Sequence, residues 1–473
     1  MSTKNVYFCI YMKEQEVDNK KATLQLGTEP VGKLLRQYAL PAIVAMTASS
    51  LYNIVDRVFI GQMVGPIAIS GLAITLPFMN LSAAFGAAVG VGSSTAISVK
   101  LGQHDYGKAV NILGNTVTLN IIIGLAFTVV CLLLLEPILH FFGASEATLP
   151  YAKDYMVIIL AGNVVTHSYL GLNSVLRAAS KPKQAMYATL FTVVMNIVLD
   201  ALFIVVMGWG IQGAAYATII SQTMALAYQL RLLSDKRELI HLKRGIYALK
   251  ADLVKRIISI GISPFLMNVC ACIVVIFLNN QFVRYGGDLS VGSYGISNSI
   301  VFIFVMFVFG LNQGMQPIAG YNYGSGQTER LTRVLRLTIG AATVIMTVGW
   351  LIAMFIPQVC ARLFTTDEEL IALSAKAIRI NMLVFPVIGF QMVVTNFFQC
   401  IGKVNISIFL SLSRQLLFLV PLIVILPWVW GVDGVWYALP ASDLISALVA
   451  WAVIVRYMRR LHLPMAGATA QEK

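Results

Sequence analysis

Trp209-Gly210-Ile211-Gln212-Gly213-Ala214-Ala215-Tyr216-Ala217 recurs as Trp430-Gly431-Val432-Asp433-Gly434-Val435-Trp436-Tyr437-Ala438, an offset of 221 residues. Other anchors repeat at nearly the same distance. Leu101-Gly102 followed by Lys108 matches Tyr323-Gly324 followed by Arg330, and Phe142 matches Phe364, both at 222; Pro41 matches Pro264 and Asn173 matches Asn396 at 223. Five anchors within two residues of one offset point to a duplicated chain. The fold must therefore be read as two copies of one unit.

The unit is set by hydropathy. Of the 473 residues, 58% are hydrophobic and only 12% charged, about half the charged fraction of soluble domains. A water-soluble chain of this size could not bury so much apolar surface, so lipid is the expected solvent. Apolar runs of roughly 20 residues, separated by breakers such as Gly65-Pro66, Lys181-Pro182 and Gly286-Gly287, give expected spans at 37–62, 69–99, 109–135, 150–176, 184–207, 211–233, 257–284, 291–321, 331–357, 371–399, 405–427 and 433–457. The expected fold is all-α and integral to the membrane, with twelve transmembrane helices in two pseudo-symmetric six-helix bundles. Residues 37–233 form the first lobe and 257–457 the second; 234–256 is a basic linker, and 1–36 and 458–473 are tails. Six spans per copy bring both copies into the membrane in one direction. Such a parallel repeat has its pseudo-two-fold along the membrane normal, and in transporters the substrate path lies between the halves.

Charge orients the bundle. With both termini in the cytoplasm, inner segments hold 27 of the 34 Lys and Arg, the largest cluster being Arg231 to Arg256 in the linker. This positive-inside asymmetry explains the net charge of +13 without nucleic acid. No signal-peptide pattern opens the chain, although Met12 could be the native start rather than Met1. A multi-pass protein of the bacterial cytoplasmic (inner) membrane, acting as a monomer, is expected. Cys131, Cys270, Cys272, Cys360 and Cys400 sit in apolar runs as small hydrophobes, and Cys9 precedes them; no histidine stands near Cys270-x-Cys272 to make a metal site.

Of 21 Asp and Glu, only Asp56, Asp200 and Asp443 fall well inside spans, where a carboxylate is costly and marks a functional candidate. At about 1.5 Å per residue, Asp56 and Asp200 rise roughly 28 and 24 Å from the inner face, while Tyr155 and Thr218 lie roughly 8–10 Å below the outer one. Asn196 is one turn from Asp200 on the same helix face. These five side chains should meet at one level of the first bundle. The duplication places Asn279 opposite Asp56, and about Leu422 and Phe418 opposite Asp200 and Asn196, so folding alone does not require the acids. Two carboxylates in one apolar pocket could hold a proton near neutral pH, or bind Na+ with the Asn, Thr and Tyr oxygens. Hydrogen bonding that merely locks the bundle is the plainer alternative. Asp443 and Arg414 both fall near mid-bilayer and are expected to form a buried structural ion pair.

Asn53-Ile54-Val55-Asp56-Arg57-Val58-Phe59-Ile60-Gly61, Lys100-Leu101-Gly102, Asn173-Ser174-Val175-Leu176-Arg177, Asn196-Ile197-Val198-Leu199-Asp200 and Gly213-Ala214-Ala215-Tyr216-Ala217-Thr218 together resemble the multidrug and toxic compound extrusion (MATE) family, particularly its prokaryotic DinF-like and MepA-like branches. The resemblance spans about residues 30 to 460. It implies two lobes that alternate between outward and inward openings and export lipophilic, cationic drugs against H+ or Na+, with no cofactor. It also maps the family's first-lobe cation site onto Asp56, Tyr155, Asn196, Asp200 and Thr218, its helix-kinking proline onto Pro41, and positions of substrate contact onto Tyr52 and Asn173. Another branch uses acids in helices 7 and 10 of the second lobe. This chain has none there, so coupling should rest on the first lobe.

Three rival classes remain. A lipid-linked oligosaccharide flippase shares the architecture but would more often place cations in the central cavity. A membrane enzyme is disfavoured because H-E-x-x-H, G-x-S-x-G and P-loop patterns are missing and only His167 lies clearly within a span. A channel or receptor fits poorly with a two-fold repeat and a one-sided acid pair.

Overall fold

The computed structural model describes residues 23–462, apart from the side chains of Asn53, Ile54, Arg57, Val58, Pro66, Asp288 and His462. The choice between Met1 and Met12, Cys9 and most of both tails lie outside the described residues. Twelve helical units follow one another: α1 (Val31–Met63), α2 (Pro66–Gly102), α3 (Tyr106–Leu133), α4 (Leu149–Ala161 and Asn163–Ala178), α5 (Pro182–Asp200, continued by Ala201–Val206), α6 (Gly210–Leu233), α7 (Ala251–Gly287), α8 (Leu289–Gly324), α9 (Thr328–Phe355), α10 (Glu368–Asn381 and Phe385–Cys400), α11 (Val404–Trp430) and α12 (Val432–His462). Eight are long and apolar enough to cross a membrane, and α4 and α10 make ten when each bent pair counts as one span. The other two, α1 and α6, have 33 and 24 residues, which at about 1.5 Å each exceed the roughly 30 Å of hydrocarbon. Most spans overrun their expected bounds: α1 and α7 each begin six residues early, at Val31 and Ala251, α2 has 37 residues, and α12 runs on to His462.

The duplication appears in the breaks as well as in the sequence. α4 bends by 57° at Gly162 and α10 by 52° between Asn381 and Phe385, at equivalent positions of the two copies. α5 and α11 each also contain a π-helical stretch, Ala201–Val206 and Ser413–Leu419, at positions that the repeat does not relate; there a wider turn lifts side chains out of the regular register. Gly287, at φ 67°, takes the left-handed conformation that lets α7 turn back into α8.

The two lobes meet through glycines. Gly102 abuts the Tyr321 carbonyl, and Gly324, its copy, abuts that of Val99, the copy of Tyr321. A two-fold relation requires this reciprocity. Gly310 and Gly314 of α8 press on Ile43 and Ala39 of α1, while Gly92 and Gly261 bring α2 and α7 together. Gln316 adds hydrogen bonds to Val91 O, Ser94 Oγ and Thr95 Oγ1 at 3.2, 2.7 and 2.8 Å. Near the same end, the chain before α1 is tied to the second lobe: Asn322 Nδ2 donates to Leu26 O at 3.1 Å, and Arg330 Nη2 to Glu29 O at 2.6 Å.

All these contacts lie in the half of the molecule that carries the basic loops. The hydrophobic core follows the same division. One large core crosses both lobes in that half and continues through the second lobe to Ala353, Ala361 and Ile371 at the far end, whereas two smaller cores, one around Ile60, Leu72 and Tyr155 and one around Phe282, Tyr294 and Trp436, stay within single lobes. The lobes are joined at the basic end and independently packed at the other. The linker is held to the first lobe by Asn115, whose Nδ2 donates to Ala248 O at 3.2 Å and whose Oδ1 accepts from the Lys250 N–H at 2.9 Å.

Candidate cation site in the first lobe

Asp200 ends the regular α-helical part of α5, immediately before the π-helical stretch, and its residue exposure is 0%. Asn196, one turn earlier, is also buried. With its amide NH2 toward the acid, Asn196 donates to Asp200 Oδ2 at 3.2 Å and accepts from the Thr218 N–H at 3.2 Å. In the opposite orientation it donates to Thr218 Oγ1 at 3.3 Å. Tyr155 of α4, buried in the core that also holds Ile60 and Leu72, lies within hydrogen-bonding range of Thr218. Asp56 of α1 is 8% exposed and close enough to Asp200, Tyr52 and Tyr155 to act on each electrostatically. The five side chains singled out by depth thus come from four helices to one level.

The arrangement has a specific chemical capacity. Asp200 Oδ1 is buried and meets no hydrogen-bond partner among the described residues. A carboxylate so enclosed is costly unless protonated, paired or coordinated. The neighbouring donors are oxygen-rich, with Asn, Thr and Tyr beside two carboxylates, which suits a proton or a hard monovalent cation rather than a transition metal. No group of three or more His, Cys, Asp and Glu is placed to hold a metal among the described residues.

The other candidates stand differently. Tyr52 lies beside the acids and within electrostatic range of Tyr169. Asn173 belongs to a separate network nearer the basic end: Nδ2 donates to Ala185 O at 3.1 Å and to Thr189 Oγ1 at 3.2 Å, while Oδ1 accepts from Arg177. Pro41 lies inside α1, where its missing N–H leaves the Gln37 carbonyl without its helical donor. In the second lobe Arg414 Nε donates to Asp443 Oδ1 at 2.7 Å. Arg177 had no role in the sequence reading; its placement four residues after Asn173 on one helix face was the available signal. His167 packs as a polar core residue, with Nε2 against Ser82 O at 2.8 Å.

A family model, MatE, matches residues 41–202 and 260–425, more than half of the chain and one block in each lobe. The chain belongs to the MatE family. Among similar proteins, the multidrug export protein MepA of Staphylococcus haemolyticus is 26% identical over 435 residues, covering 92% of this chain and 96% of that protein. MepA of Staphylococcus aureus (strain MRSA252) is 26% identical over 432 residues, covering 91% and 95%. Among solved structures, an outward-facing multidrug resistance MATE family transporter of the MOP superfamily superimposes with a TM-score of 0.88 at 24% identity, covering 93% and 99%. A MOP superfamily transporter from Pyrococcus furiosus aligns with a TM-score of 0.87 at 25% identity over the same shares. This MatE protein is therefore a multi-pass membrane protein with the twelve-helix fold of that family.

Proposed function

We propose that this MatE protein is a secondary active antiporter that exports lipophilic and cationic organic compounds in exchange for H+ or Na+. The observation that carries the reading is the enclosed Asp200, held by Asn196 beside Asp56 in the first lobe only. A substrate cation and a coupling ion would compete for the same negative charge. Binding of H+ or Na+ to Asp56 and Asp200, with Asn196, Thr218 and Tyr155 as further donors, neutralises the pair and removes its hold on the substrate. Tyr52 would contribute to the substrate face, and α1 would re-pack around Pro41 as the charge changes. Asn173, committed to its own network, would act on substrate only indirectly. An inward proton gains about 2.3 kcal/mol per 100 mV, enough to bias such an exchange.

The lobes, 37–233 and 257–457, would rock about the glycine seam at the cytoplasmic end, and both termini would lie in the cytoplasm. The bacterial inner membrane and a monomer are part of the same reading, which is supported by relatives named multidrug export proteins. A lipid-linked oligosaccharide flippase would require cations facing the interlobe cleft. Here the charge of Arg414 is balanced by Asp443 within the second lobe, and Arg177 is engaged by Asn173 and Ser174, so neither supplies an uncompensated cation for a pyrophosphate and this alternative is not favoured. The test is accumulation of a fluorescent lipophilic cation in everted vesicles under an imposed pH or Na+ gradient. Gradient-driven uptake is expected, and none with either ion would end the proposal.

A further inference from the structure

The second lobe contains a cavity of about 200 Å³ lined by α7, α8, α10, α11 and α12. Its helices are the duplication-related counterparts of those that build the acid site, with α8 added. Its charge is different. Arg414 and Asp443 both line it; their equivalents in the first lobe, at an offset of 222, are the small neutral residues Thr192 and Ser221. The lobes have therefore exchanged an acid pair for a dipolar pair inside the same framework.

The pair is not closed on itself. Arg414 and Asp443 are joined by one bond, Nε to Oδ1 at 2.7 Å, and the Arg414 side chain stays 31% accessible while lining the cavity. A guanidinium bound through Nε alone retains its two terminal nitrogens for a second acceptor. Gln415, the next residue, also lines the cavity, and its buried Oε1 has no hydrogen-bond partner among the described residues. Both residues lie in the π-helical stretch Ser413–Leu419, and such stretches are frequent at functional sites because they re-aim side chains. The remaining wall is apolar on one part, including Leu278, Val301 and Phe385, and carries the neutral polar side chains of Asn298, Asn381 and Ser442 elsewhere.

We infer that this second-lobe cavity is a binding subsite for a compact zwitterion whose carboxylate and ammonium are adjacent on an apolar body, of the α-amino-acid kind. The carboxylate meets the terminal guanidinium nitrogens of Arg414, the ammonium meets Asp443 and Gln415 Oε1, and the body lies against the apolar wall. Charge decides the class. The Arg–Asp pair is neutral, so a lone cation or anion would leave a net charge in a desolvated site, whereas a zwitterion adds none. Size agrees: the cavity is smaller than the roughly 300–1,000 Å³ that holds a whole drug-sized ligand, so it takes a ring-sized body and its head group. This subsite rests on reading the chain as an exporter of small organic compounds. It implies that the first lobe takes cations and the second takes amphoteric ones.

The test uses three probes of nearly one shape on the purified full-length protein: L-phenylalanine, its methyl ester and N-acetylphenylalanine, which are zwitterion, cation and anion. Displacement of radiolabelled phenylalanine is measured for each. The zwitterion should compete about tenfold better than either relative, and an Arg414→Gln/Asp443→Asn double variant should lose that preference. Equal competition by the ester or the N-acetyl compound, or no saturable phenylalanine binding to the wild type, would overturn the inference whether or not the variants fold. Failure of gradient-driven cation export would remove the proposed function and leave these binding ratios intact, so the two failures are distinguishable.

Discussion

Replacing Gly314 by alanine should push the lobes apart at the basic end. A methyl carbon built there would sit 2.5 Å from the Ala39 Cα and 2.5 Å from its backbone nitrogen. Ordinary carbon contacts are about 3.5–4.0 Å, so α1 and α8 must separate by about 1 Å, and backbone cannot yield as a flexible side chain could. Overpacking of this kind typically costs about 1–3 kcal/mol. If it falls only on the arrangement closed at the basic end, the equilibrium between closed and open states shifts by about 5–150-fold. Spin labels at Lys108 and Arg333, both exposed near the basic ends of α3 and α9, would read the change by pulsed electron resonance as a longer-distance population. Gly340→Ala is the control, because nothing lies within 4 Å of the added carbon; it should leave the distances unchanged. An unaltered distribution in a folded Gly314→Ala protein would refute the idea that these glycines form the seam on which the lobes turn.

Three further outcomes follow from the same geometry. Asn115→Leu removes the donor and acceptor that hold Ala248 and Lys250. At roughly 1 kcal/mol per hydrogen bond the linker should release, with faster tryptic cleavage at Lys243, Arg244 and Lys250. Asp443→Asn should lower the melting temperature in detergent, because it strips a partly accessible Arg414 of its partner; exchanging the two residues should recover part of the loss, and no recovery would count against a pairing role. Tyr155→Phe keeps the packing of the first-lobe core but removes a hydroxyl near Thr218. It should weaken ion dependence of export several-fold with little change in melting temperature; a large stability loss with normal coupling would assign Tyr155 to packing alone.

Much of this was legible in the sequence for definite physical reasons. Helix rise is constant, so depth arithmetic alone brought Asp200, Asn196, Tyr155 and Thr218 to one level, where the structure places them. The duplication was legible because close helix packing admits only glycine, and Gly102 and Gly324 occupy the reciprocal points of one interface. The spans α1 and α6 were legible from hydropathy and breakers, like the other ten. What remained hidden arises from contacts across the chain. The π-helical stretches after Asp200 and at Ser413 have no periodic signature. The bonds from Asn322 and Arg330 to the chain before α1 join residues about 300 positions apart. Asn173, which resembled a substrate contact by motif, is turned inward by Ala185, Thr189 and Arg177, a choice made by its neighbours on α5 and its own helix.

Ion release on substrate binding examines the shared carboxylates most directly. Purified protein in weakly buffered detergent is titrated with a lipophilic cation while proton release, or displacement of radioactive Na+, is recorded for wild type, Asp56→Asn and Asp200→Asn. The wild type should release H+ or Na+ as the cation binds, and the Asp200→Asn protein should release markedly less per cation bound. Equal release from both variants and wild type would contradict the account, because substrate and ion would then not be competing for Asp56 and Asp200.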